Sequence, residues 1–131
     1  MGLILDTSVI IAAEKNKIDF GRWENYGNAY ISGITVSELL VGIHRANSEE
    51  RKIKRSAFVE HIISSIAVLP FGEEEARVYA QIINSLYNKN VTLGAHDMII
   101  GATAIASRYA VLTLNEQDFN RIPGLKTLKL E

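Results

Sequence analysis

Short continuous apolar runs alternate along this chain with longer stretches in which apolar residues recur every three or four positions. The runs are Leu3-Ile4-Leu5, Ala29-Tyr30-Ile31-Ser32, Ala67-Val68-Leu69-Pro70-Phe71, Val111-Leu112-Thr113-Leu114 and Thr127-Leu128-Lys129-Leu130. Leu3-Ile4-Leu5, continuous and apolar, suits a strand buried on both faces, and the other runs read as further strands. Pro70 marks the third as an edge or an end, and the fifth is read as an edge strand. Between them the pattern predicts helices over Thr7 to Glu14, from about Thr35 through Ile43, from after the connection Asn47-Ser48-Glu49-Glu50, which has the look of a capping box, to about Ser65, from Glu73 to about Asn88, and from Asp97 to Arg108. Val36, Leu39, Leu40 and Ile43 follow the spacing of a buried helical stripe, and Ile53, Ala57, Phe58 and Ile62 form a second one. Ile18 to Tyr26 reads as a short amphipathic helix carrying Phe20 and Trp23. Gly33 is expected to turn the chain, and Glu116 to Asn120 to form a short turn. Strand and helix in alternation predict an α/β fold: a parallel sheet of four to five strands with helices on both faces.

The totals add limits. At 131 residues without repeat or linker, the chain is expected to be one domain, 1–131. Its net charge of −1 supplies no global field for nucleic acid, so any polyanion must be held by a local patch. No cysteine is present, which excludes disulfides, thiolate zinc and cysteine nucleophiles and fits a cytoplasmic location. No run reaches the roughly 18 apolar residues that span a bilayer, and the N-terminus lacks a basic secretory segment, so no membrane role is expected.

Four acids, Asp6, Glu38, Asp97 and Asp118, fall where apolar strand-like runs give way to helix-like ones. Each has a plain structural reading. Asp6 fits an N-cap, Thr35-Val36-Ser37-Glu38 fits a capping box, Asp97 fits a first helical turn, and Asn115 with Asp118 repeats the cap pattern. Together they say more. A parallel sheet gathers its strand ends at one edge, where ligands bind. Clustered carboxylates repel one another, one of them takes up a proton near neutral pH, and a hard divalent cation removes that penalty. Such a cation activates water against a phosphodiester.

Four segments carry a family resemblance. Leu5-Asp6-Thr7-Ser8-Val9-Ile10-Ile11, Ile34-Thr35-Val36-Ser37-Glu38-Leu39-Leu40-Val41-Gly42 and His96-Asp97-Met98-Ile99-Ile100-Gly101-Ala102-Thr103-Ala104 resemble the first three motifs of PIN domains. Leu112-Thr113-Leu114-Asn115-Glu116-Gln117-Asp118-Phe119, followed by Ile122-Pro123-Gly124-Leu125, resembles the last. The likeness covers essentially the whole chain and is greatest to VapC-type toxins of toxin–antitoxin modules. It implies a PIN-domain fold and a Mg²⁺- or Mn²⁺-dependent ribonuclease. Asp6 and Asp97 would hold the metal and Glu38 would complete the site directly or through water. Asp118 is the candidate fourth catalytic acid, with Asn115 as a neutral alternative. Thr7, Ser8 and Thr113 would hydrogen-bond the carboxylates or the substrate. The resemblance further implies an RNA substrate, a homodimer and a cognate VapB-like antitoxin. The apolar helices around Val36 to Ile43 and Ile53 to Ile62 are expected to supply the binding surface.

Other residues are weighed against these. His96 either touches substrate or is an exposed histidine at a helix start. The basic stretch His44-Arg45 to Arg55 either contacts RNA phosphates or is a solvated helix face, and Lys15, Lys17 and Arg22 form a weaker second set. Trp23, Tyr26 and Tyr30 either stack on bases or pack internally. The rival function is a PIN-fold module that binds RNA or protein without catalysis. A phosphatase with an aspartate nucleophile wants a second Asp two residues on, where this chain has Ser8.

Overall fold

The computed structural model describes residues 1–15, 18 and 20–130. Five strands form one sheet: β1 (Gly2–Leu5), β2 (Asn28–Ser32), β3 (Ala67–Leu69), β4 (Ala110–Thr113) and β5 (Thr127–Lys129). Their spatial order is β3-β2-β1-β4-β5, and every neighbouring pair is parallel. Six helices connect or flank them: α1 (Thr7–Lys15), α2 (Gly33–His44), α3 (Glu49–Ser65), α4 (Glu73–Asn88), α5 (Ala95–Ser107) and α6 (Glu116–Phe119). A 3-10 helix spans Phe20–Tyr26 and buries Trp23.

The strand alternation divides the core in two, as a sheet with both faces covered requires. Leu3 and Leu5 of β1, Ile31 of β2 and Leu112 of β4 face α1, α2 and α3, meeting Val9, Ile10, Leu39 and Val59. Ile4 and Val111 face the other way, against Ile82 and Leu86 of α4, Met98 and Ile100 of α5, and Phe119. Gly101 lets α5 approach the chain beyond α6, because a Cβ there would stand 2.6 Å from Ile122 Cδ1.

Several expectations shift. The helix expected from about Thr35 already begins at Gly33, because Ser32 caps it by accepting from the Ile34 amide at 3.2 Å. On α2, Thr35 and Leu39 are buried, whereas Leu40 is exposed. On α3, Val59 is buried, Ala57 is exposed and Ile53 is 67% exposed. The cause is length. Seventeen helical residues run about 25 Å, whereas the adjacent β3 has only three residues, so the first turns of α3 overhang the sheet. The aromatic residues pack internally: Tyr30 stacks on Tyr109 with centroids 4.9 Å apart, and Lys126 lies 5.0 Å over the ring of Tyr26. Among the basic candidates, Lys17 lies outside the described residues.

The order 3-2-1-4-5 reverses direction between β1 and β4. In a sheet of this kind that switch point opens a crevice at the C-terminal strand ends. Asp6 follows β1 there, and its amide donates to Leu112 O at 3.0 Å, which places it beside Thr113 at the end of β4.

Candidate active site

Asp6 is 5% exposed and almost fully engaged. Its Oδ1 accepts from the Thr7 amide at 2.8 Å, and its Oδ2 accepts from Ser8 Oγ at 2.7 Å and Thr113 Oγ1 at 2.8 Å. Both hydroxyls are oriented from behind, since Leu114 N donates to Ser8 Oγ at 3.1 Å and Asn115 N to Thr113 Oγ1 at 2.8 Å. The amide contact is to the first residue of α1 and not to the second or third, so the carboxylate does not make the N-cap bond expected of Asp6. A carboxylate offers about four acceptor positions, so one remains after these three bonds.

Glu38 does not close a capping box; Ser32 already caps α2. Its carboxylate reaches across to α1, where Thr7 Oγ1 donates to Oε1 at 2.6 Å, and to His96, whose Nδ1 lies 3.1 Å from Oε2. Thr35, fully buried three residues earlier on the same helix, shares a 3.1 Å hydrogen bond with the Thr7 hydroxyl. The Thr7 proton is committed to Glu38, so Thr35 is the donor in that bond. The sequence marks Thr35 only as the cap of a box and not as a site residue; its position one turn before Glu38 is the available signal.

Asp97 arrives by a different route from the one expected. No strand precedes it: residues 91–94 are a connection after α4, and Asp97 stands in the first turn of α5. Asn115 meets it with its side-chain amide. Nδ2 donates to Asp97 Oδ2 at 3.3 Å and to Asp118 Oδ2 at 3.1 Å. The two residues weighed as alternatives for the fourth position are therefore both present, with the neutral amide strapping two like charges together.

The electrostatics follow. Asp97 is pushed from 3.8 up to about 6, first by burial and then by the charges of Asp6, Asp118 and Glu38, with His96 opposing. The first turn of α5 offsets part of this through its partial positive charge. Among the described residues no buried side-chain oxygen or nitrogen lacks a partner, and no group of three or more His, Cys, Asp or Glu side chains is placed to hold a metal ion. The carboxylates that act on Asp97 offer oxygen donors alone, which suit Mg²⁺ or Mn²⁺ rather than zinc, and Mg²⁺ needs only one or two of them because it keeps several waters.

The basic residues sort themselves. Arg55 is drawn inward, donating to Gly42 O at 3.1 Å and lying 3.7 Å from Glu14. Arg51 donates to Asn47 Oδ1 at 3.0 Å, Lys54 lies 3.9 Å from Glu50, and Arg22 stands over the Trp23 ring at 4.9 Å.

Comparison with known proteins agrees with this geometry. Residues 3–125 match the PIN domain. Ribonuclease VapC1 of Rickettsia felis is 53% identical over 98% of this chain and 96% of its own. The tRNA(fMet)-specific endonuclease VapC of Salmonella typhimurium is 33% identical over 94% and 93%. A crystal structure of DNA-bound VapBC from Salmonella typhimurium superposes with a TM-score of 0.88 at 31% identity, covering 100% of this chain and 99% of the other. An all-parallel sheet, four acids at its switch point and these likenesses over nearly the full length place the chain in the PIN-domain family, in its VapC-type branch.

Proposed function

We propose that this chain is a metal-dependent endoribonuclease of the VapC type, restrained by a cognate VapB-like antitoxin. The observation that carries the reading is the convergence of Asp6, Glu38, Asp97 and Asp118, which leaves Asp97 protonated up to about pH 6 in the absence of a counter-charge. The ribonuclease names of the relatives and the toxin–antitoxin complex among the structural likenesses support it.

Asp6, Asp97 and Glu38 would hold Mg²⁺ or Mn²⁺, with Asp118 beside them. A bound ion of this kind supplies a water acidic enough to attack at neutral pH and offsets charge on the phosphate. The chain's own residues do the rest. Ser8 and Thr113 fix the Asp6 carboxylate, Thr7 and His96 fix Glu38, and Asn115 holds Asp97 against Asp118. Without a cation these carboxylates repel an RNA phosphate. Such an arrangement favours catalysis over a module that only binds RNA or protein.

The antitoxin and a second copy of the chain need apolar surface. Ile11, Leu40 and Val41 are exposed by 43, 37 and 45% close to the acids, and Ile53 lies open on α3. Among the described residues no helix is long and apolar enough to cross a membrane, and a cytoplasmic site of action is part of the proposal.

Purified protein is expected to cut RNA with Mg²⁺ or Mn²⁺ and to stop with a chelator. Initiator tRNA is the first substrate to try, given the name of the Salmonella relative. Attack by water rather than the ribose 2′-hydroxyl leaves a 5′-phosphate and a 3′-hydroxyl. Sequencing the cut ends checks this, and a 2′,3′-cyclic phosphate would refute it.

Thr113→Val keeps the shape but takes one of two hydroxyl donors from Asp6 Oδ2 and the acceptor from the Asn115 amide. Loss of a supporting group of this kind lowers metal affinity or activity about 10–100-fold. The orphaned groups cost about 1–3 kcal/mol in stability. Calorimetric Mn²⁺ titration and urea unfolding measure the two, and unchanged affinity would remove Thr113 from the site.

A further inference from the structure

Within the basic stretch, Arg45 differs from Arg51, Lys54 and Arg55. Its side chain makes no hydrogen bond or ion pair among the described residues, although it is exposed and lies close to a concentration of negative charge. It lines a groove of about 410 Å³ together with Ser37, Glu38, Val41, Gly42 and His96. That volume is within the range of sites that hold small ligands. Glu38 and Arg45 are seven residues apart, two turns of α2, so they share a helix face about 10 Å apart. One end of the groove is therefore the acid site and the other an unpaired guanidinium. His96, clamped to Glu38 at 3.1 Å, forms the opposite wall.

We infer that this groove carries the RNA strand next to the cut, with Arg45 anchoring the phosphate adjacent to the scissile one. The inference rests on the nuclease reading and adds a direction to it: the strand leaves the acids along α2, toward its C-terminus. The chemistry is specific. The acids repel neighbouring phosphates of the same strand, so a substrate needs a compensating cation one or two nucleotides away. A guanidinium meets a phosphate with two parallel N–H donors. The other charges of the stretch do not serve this end: Arg55 is engaged with Gly42 and Glu14, Arg51 and Lys54 have partners on α3 or at its start, and Lys52, although it too has no side-chain partner among the described residues, does not line the groove. A bland role also exists, since Arg45 caps α2, where positive charge complements the helix dipole.

The experiment compares wild type, Arg45→Ala, Arg45→Lys and Lys54→Ala in steady-state RNA cleavage with Mn²⁺ over a range of salt, with a melting curve for each. Arg45→Ala is expected to raise KM about tenfold with kcat within about twofold, and to flatten the slope of log kcat/KM against log salt by about 0.7, the loss of one phosphate contact on a single strand. Arg45→Lys keeps the slope and recovers part of KM. Lys54→Ala changes neither. Wild-type KM and slope in Arg45→Ala overturn the anchor, as does an equal loss in Lys54→Ala, which would reveal only net charge. A lowered Tm with KM unchanged assigns Arg45 to capping and also overturns it. If wild type itself cuts no RNA with Mn²⁺, the nuclease reading falls and the anchor with it; if wild type cuts and Arg45→Ala matches it, only the anchor falls.

Discussion

Asp6→Asn is expected to lower RNA cleavage by roughly a thousandfold while the protein remains folded. An ionic ligand contributes several kcal/mol of charge stabilisation at a phosphoryl centre, and about 4 kcal/mol corresponds to a factor of 10³. The substitution keeps the Oδ1 that accepts from the Thr7 amide, so the start of α1 holds. It replaces Oδ2 with an N–H₂ group facing Ser8 and Thr113, whose hydroxyls must turn their protons elsewhere. It also removes one of the charges that press on Asp97. The metal-free variant is therefore expected to melt within a few degrees of wild type, in keeping with the cost in stability that crowded functional sites carry. Cleavage assays on purified protein, with melting curves in chelator, measure both effects. Retained cleavage would remove Asp6 from the site. Lost cleavage together with lost folding would make its role structural.

The second large effect is on pH. Asp97 must lose its proton before it can hold a cation, and that proton stays until about pH 6. Cleavage at limiting Mn²⁺ should then fall about tenfold for each pH unit below that point and level off above it. More Mn²⁺ should move the inflection downward, because ion and proton compete for one carboxylate. Stability has the opposite sign. The folded pKa lies above the ordinary 3.8, so this group stabilises the metal-free fold below pH 3.8 and loses that contribution as pH rises through 6. Added Mn²⁺ takes over where the proton leaves, so the gap between melting temperatures with and without Mn²⁺ should widen from pH 5 to pH 7. Melting curves at four pH values suffice. An inflection near pH 4 with a constant gap would mean that Asp97 does not bind the ion.

Much of this molecule was legible in its residues. The apolar runs at 3–5, 29–32 and 111–114 read as strands, and β1 and β4 are buried along their whole length, whereas β2 is covered only at Ile31 and Ser32. The periodic stretches between them had to cover the sheet. The acids were visible too, as were Ser8 and Thr113 beside them. Helical phase was less so. Ile53 and Leu40 fit apolar stripes and are exposed, whereas Leu39 and Val59, the latter outside the stripe, are buried, because which residues are covered depends on how each helix is rotated and placed against its neighbours.

The order of hydrophobic segments and the identity of the acids belong to the sequence by itself, because burial on two faces and carboxylate chemistry are properties of residue types and their spacing. The rest needed the folded chain. Asp97 joins the site from a helix start with no strand before it, Asn115 ties it to Asp118, Glu38 turns from a cap toward Thr7 and His96, and Arg45 stays unpaired while Arg55 is drawn inward. Each depends on distances between segments 13 to more than 50 residues apart or on competition for a partner, and only the packing of the helices against the sheet sets those.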